Sequence, residues 1–80
     1  GRGVVVHVDR WGNLITNLDG AAPAVRIAGH TVAVVATYAA VAPGGLLAYR
    51  GSSGTLEIAV RDGAAAAALG VGRGAAVEVA

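Results

Sequence analysis

Leu46-Leu47-Ala48-Tyr49-Arg50-Gly51-Ser52-Ser53-Gly54-Thr55-Leu56-Glu57-Ile58-Ala59-Val60 is the stretch that decides how the chain is read. Leu46 to Tyr49 is a short apolar strand. Arg50 to Gly54 is a small polar loop. Thr55 to Val60 alternates in the period of two that a half-buried strand requires. The same texture extends in both directions. Gly3 to Asp9 is dense in β-branched residues and reads as a strand, with His7 inside the Val run. Arg10-Trp11-Gly12-Asn13 breaks it, Leu14 to Thr16 is a short second strand, and Asn17-Leu18-Asp19-Gly20 is a turn signal. Ala24 to Ala28 and Thr31 to Ala36 form a hairpin about Gly29-His30. Thr37 to Val41 follows and Pro43-Gly44-Gly45 ends it. Asp62 is placed to cap a short helix over Ala64 to Leu69, with Gly70 as its stop. Ala75 to Val79 closes the chain as a strand.

Many short strands at regular spacing, separated by Gly-rich turns, predict an all-β fold. The expected form is a small closed or nearly closed Greek-key-like β-barrel with one short helix near the C-terminus. The 80 residues make one domain, 1–80, and no internal repeat is present. A chain this short buries a modest share of its surface and often needs a partner surface.

Composition excludes several functions. The six basic residues are all Arg, and the net charge of +1 gives no field for nucleic acid or anionic membranes. No cysteine is present, so neither disulfides nor thiolate metal sites are available. No apolar run approaches the ~20 residues that span a bilayer. The chain neither begins with Met nor contains one, as expected of a processed product or a piece of a longer protein.

Three segments carry chemistry-bearing residues. In Asp9 to Asn17, an indole (Trp11) stands beside a carboxamide (Asn13). A carboxamide can pair with the donor and acceptor edge of adenine, and an aromatic ring can cover a base face. A Gly beside an Asn in a turn also has a simple backbone explanation. In Arg50 to Gly54, hydroxyls and main-chain N–H groups could hold a carboxylate, although composition alone favours a flexible turn. In Arg61-Asp62-Gly63, pattern alone favours a helix cap and a solvated Arg. His7 and His30 lack metal-ligand spacing. Tyr38 and Tyr49 read as core or rim aromatics unless a base stacks on one of them. No nucleophile elbow, carboxylate pair or catalytic triad is discernible.

In combination these motifs are more specific. Val8 to Asn17, Val-Asp-Arg-Trp-Gly-Asn-Leu-Ile-Thr-Asn, resembles the Asp-x-Phe-Gly-Asn-hydrophobic-x-Thr-Asn signature of the S-adenosylmethionine (SAM) hydroxide adenosyltransferases, the adenosine-forming SAM hydrolases related to fluorinases and chlorinases. Thr37-Tyr38-Ala39 resembles that family's Thr-aromatic-Ala segment, and Tyr49 to Gly63 its C-terminal signature. The three occur in order over essentially the whole chain.

The resemblance implies a two-domain subunit in which this chain is the C-terminal β-barrel. It implies a homotrimer, with the active site between one barrel and the N-terminal α/β domain of its neighbour. Asn13 would bond the adenine edge, Tyr38 would stack on adenine, and Trp11 would line the same pocket. Ser52 and Ser53 would hold the methionine end, and the main chain around Val60, Arg61 and Asp62 would complete the adenine site. Ile15 and Ser53 stand where the halogenating relatives carry Trp and Arg, which favours the hydroxide-using branch. The family's water-activating groups lie in the N-terminal domain, so no catalytic residue maps here. The expected ligand is SAM or adenosine, with no cofactor or metal, in the cytoplasm. The alternatives are a nucleotide-binding barrel without chemistry and an oligomerisation module.

Overall fold

The computed structural model describes residues 1–80. Seven strands form one antiparallel sheet: β1 (Arg2–Val8), β2 (Leu14–Asp19), β3 (Ala24–Ile27), β4 (His30–Ala33), β5 (Leu46–Arg50), β6 (Thr55–Val60) and β7 (Ala76–Val79), with one helix, α1 (Ala65–Leu69). The order across the sheet is β4-β3-β7-β1-β2-β6-β5. The outer strands approach each other through a parallel bridge between Val34 and Ala48, so the sheet nearly closes into a barrel. The three hairpins β1–β2, β3–β4 and β5–β6 are local. The non-sequential neighbours β3–β7, β7–β1 and β2–β6 give the Greek-key character.

Inward positions build the core. Leu56, Ile58 and Val60 of β6 meet Leu14 and Leu18 of β2, Val5 of β1, Val25 and Ile27 of β3, and Val77 of β7. The hairpin turn at Ala28-Gly29 has both central residues at positive φ, 50° and 80°. That is the twist a two-residue hairpin needs, and Ala28 adopts it without the freedom of a glycine.

Two strands depart from simple alternation. In β1 the register with β2 shifts between Val5 and His7. The extra residue of this bulge turns both Val6 and His7 outward, which is why the Val run does not alternate in burial. In β2 the register with β6 shifts between Ile15 and Asp19. Here side chains replace the ladder. The Thr16 hydroxyl donates to the Leu56 carbonyl (2.7 Å) and accepts from the Leu18 N–H (3.2 Å). On the other side, Asn17 Oδ1 accepts from the Val4 N–H (2.8 Å). Gly3 has no side chain because a Cβ there would collide with that carboxamide.

Several expected boundaries are corrected by these contacts. Asn17 to Asp19 belongs to β2 rather than to a turn, because the two side chains carry the strand through its irregular stretch. The strand expected over Thr31 to Ala36 ends at Ala33, and Tyr38 to Ala40 forms a single 3-10 turn. Asp62 does not cap α1. It sits in the left-handed region (φ 60°), and Ala64 is the N-cap without a side-chain bond. The Gly12 carbonyl instead accepts from the Ala66 N–H (2.9 Å), satisfying one of the free donors of the first turn. At the other end Gly70 takes the left-handed conformation expected of it.

Replacing Thr16 by Val keeps the shape and deletes the hydroxyl, leaving the buried Leu56 carbonyl without that partner. The expected loss is ~1–3 kcal/mol of unfolding free energy, read from the urea midpoint at unchanged slope.

Candidate functional site

A cleft of about 670 Å³ opens on the outer side of the β5–β6 hairpin. Four segments converge on it. The β1–β2 turn supplies Asp9, Trp11 and Asn13, and the 3-10 turn supplies Tyr38. The outward positions of β5 and β6 supply Tyr49 and Glu57, and the end of β6 with the turn after it supplies Val60, Asp62 and Gly63.

The β1–β2 turn is organised by one carboxylate. Asp9 Oδ1 accepts from the main-chain N–H groups of Trp11 (3.0 Å) and Asn13 (2.9 Å). The main chain closes the same turn through Asp9 N–H to the Asn13 carbonyl (3.1 Å) and Gly12 N–H to the Asp9 carbonyl (3.0 Å). Gly12 has φ 81°, and a Cβ there would strike Ala64, so only glycine fits between the turn and α1. The turn therefore holds Trp11 and Asn13 in fixed relation. Trp11 is 64% exposed, and the Arg10 guanidinium lies 4.5 Å from its ring centre, covering one face.

Asn13 Nδ2 donates to the Tyr38 hydroxyl (3.3 Å). Tyr38 meets Tyr49 edge to face, with ring centres 5.4 Å apart and planes at 74°. The Tyr49 hydroxyl donates to Glu57 Oε1 (2.7 Å), and the two residues are direct cross-strand partners. Burial above all, then the Tyr38 hydroxyl and the Glu57 carboxylate, push the Tyr49 phenol far above its ordinary range. The cleft is lined by three carboxylates and no basic side chain, on a chain whose net charge is +1.

Of the residues singled out from sequence, Trp11, Asn13, Tyr38, Val60 and Asp62 lie together on the cleft. Three do not line it. Arg61 turns away: its Nη1 donates to the Val41 carbonyl (2.7 Å). Its main-chain N–H and C=O bond Gly45 and Gly44. The main-chain groups of Asp62 make no such bonds. Ser52 and Ser53 are exposed on the loop beyond Tyr49 and Glu57, and Ser53 Oγ lies 3.3 Å from Thr55 Oγ1. Asp9, Tyr49 and Glu57 were not singled out for the site. The alternation of β6 does mark Glu57 as an outward carboxylate between buried Leu56 and Ile58. No group of three or more His, Asp or Glu side chains could hold a metal ion, and no helix is long and apolar enough to cross a membrane.

The fold and cleft define a small β-barrel domain with a ligand-sized recess between a rigid turn and the outer face of a hairpin. Residues 3–78 match the SAM hydroxide adenosyltransferase C-terminal domain, and the chain belongs to that family. It is 42% identical over 79 residues to the (R)-S-adenosyl-L-methionine hydrolase of Thermus thermophilus, covering 96% of this chain and 31% of that protein. A crystal structure of a conserved hypothetical protein from Thermus thermophilus superposes with a TM-score of 0.92 at 40% identity, covering 99% of this chain and 34% of that one. An uncharacterized conserved protein from Thermotoga maritima superposes at 0.83 with 32% identity, covering 99% and 35%. The chain thus spans about a third of the length of each of these relatives.

Because the folded state keeps the Tyr49 proton beyond the ordinary pKa of 10.0, this group's contribution to stability is whole below that pH. It declines as pH rises above it, where the unfolded chain ionises first. Urea midpoints measured across this alkaline range should fall for the wild type, and Tyr49→Phe should remove part of that fall.

Proposed function

We propose that this chain is the substrate-binding wall of an enzyme that hydrolyses SAM to adenosine and methionine. The observation that carries the reading is the approach of Asn13 to Tyr38 on one side of the cleft. A carboxamide edge and an aromatic face, brought from positions 25 residues apart, together match the edge and face of adenine. Family membership and the similarity to a named SAM hydrolase support the same reading. The acidic lining suits a ligand that carries a sulfonium and an ammonium group. On this reading Trp11 borders the adenine pocket, and the free main-chain groups of Asp62 offer further polar contacts.

Ser52 and Ser53 lie outside the cleft. They reach the methionine end only as the ligand extends past Glu57 toward their loop. The reaction is displacement at the adenosyl 5′ carbon. Water or hydroxide forms the new C–O bond, the C–S bond breaks, methionine takes the electron pair, and the proton of the attacking water is lost to solvent or a base. The sulfonium is already a good leaving group, so positioning and exclusion of bulk water are what the barrel contributes. SAM supplies its own leaving group and no cofactor is invoked. The water-activating groups come from an N-terminal domain, across a homotrimer interface, in the cytoplasm. The isolated chain is then inactive.

Asn13→Ala in the full-length protein should weaken adenosine binding by ~1–3 kcal/mol, the range for a polar edge left unmatched. Unchanged affinity by calorimetry would count against the assignment. Incubating full-length protein with SAM and chloride, then chromatographing the products, should yield adenosine and methionine. A 5′-halogenated nucleoside would place the protein in the halogenating branch.

A further inference from the structure

The ring at position 38 is poorly held by its own backbone. Its 3-10 turn buries none of its residues and has no side-chain cap, and Tyr38 is itself 39% exposed. A ring that is to stack on a planar base needs a fixed plane before the base arrives, because orienting it on binding subtracts from affinity. Two contacts set that plane. Asn13 Nδ2 reaches the hydroxyl at one end. Tyr49 packs edge to face against the ring itself.

Tyr49, unlike Tyr38, stands on a regular strand paired residue by residue with β6 from Leu46 to Arg50. Its ring direction is fixed by the hydrogen bond to Glu57 at 2.7 Å. Glu57 in turn sits between strands on both sides, paired with Tyr49 and with Ile15. Gly51 leaves the room for its carboxylate, since a Cβ at that position would collide with it. Glu57 forms no ion pair with any basic residue of the chain; the salt bridges involve Arg2, Arg26 and Glu78.

We propose that Glu57 is a positioning residue for the adenosyl site: it locks Tyr49 against Tyr38 and so sets the plane of the base-stacking ring. The inference rests on the adenosyl reading of the cleft and adds to it a residue that acts through two others. The rigid β5–β6 ladder lends its order to the lightly packed turn that carries Tyr38. The raised Tyr49 phenol is consistent with this, because its proton stays available for the bond to Glu57.

The test is calorimetric titration of adenosine into the full-length protein. Tyr49→Phe keeps the ring and deletes the hydroxyl. Glu57→Leu deletes the acceptor. Each should weaken binding about three- to tenfold, the worth of one hydrogen bond, and the double variant should lose no more than either alone. Glu57→Gln keeps an acceptor oxygen and should bind within about twofold of wild type. Val25→Ala loosens the core at β3, away from the cleft. It should leave adenosine affinity unchanged and so separates positioning from general loss of stability.

Equal losses in Glu57→Gln and Glu57→Leu would mean that an acceptor for the Tyr49 hydroxyl is not what residue 57 contributes, and would overturn the proposal. So would wild-type binding by Tyr49→Phe. If Asn13→Ala weakens binding while the Tyr49 and Glu57 variants do not, the positioning role alone fails. If Asn13→Ala is also without effect, the adenosyl reading falls with it.

Discussion

The hydroxyl of Thr16 holds a place that the backbone cannot fill. β2 must pair with β1 on one side and β6 on the other, and its register with each partner shifts along its length. At the shift the main-chain groups no longer meet. Thr16 and Asn17 supply the missing donor and acceptors from their side chains, one toward each neighbour. A buried main-chain group without a partner is costly, so this pair lets an irregular strand run through the middle of the barrel. The β1–β2 turn and the outer face of β6 are then fixed relative to each other, and these are two walls of the cleft. The Thr-Asn of the motif is therefore structural, while Trp11 and Asn13 a few residues earlier line the cleft.

Order passes outward from that strand in steps. Asp9 gathers the turn by accepting two main-chain N–H groups, and Gly12 lets it touch α1. The Gly12 carbonyl caps the helix in return. On the opposite wall Glu57 and Tyr49 stand on paired strands. Tyr38 lies between the two walls, touching Asn13 on one side and Tyr49 on the other.

What the sequence disclosed follows the range of each interaction. The strands at Thr55 to Val60 and Leu46 to Tyr49, the hairpin at Gly29 and the left-handed Gly70 were all legible, because alternation and turn chemistry are local. Asn17 to Gly20 misled because Asn and Asp before Gly are good turn residues, and only the side-chain bond from Asn17 to Val4 reveals a strand. Asp62 misled because it has the composition of a cap, whereas the actual donor's partner, Gly12, lies 54 positions from Ala66. Trp11 and Asn13 were singled out as an indole beside a carboxamide and Tyr38 by resemblance, and their convergence is a property of the folded barrel. Glu57 was visible as an outward carboxylate, but its bond to Tyr49 depends on the cross-strand register of the hairpin.

The position of β7 bears on how such a barrel comes into being. Residues 76–79 insert between β3 and β1, which are made long before them. Until that strand arrives, both neighbours present open main-chain edges, the kind of surface that pairs with other chains. The pairing also spans most of the sequence, which slows folding relative to a fold of local hairpins. The nascent barrel therefore carries two adhesive edges until residues 76–79 are available, and conditions that lengthen that interval should favour aggregation over closure.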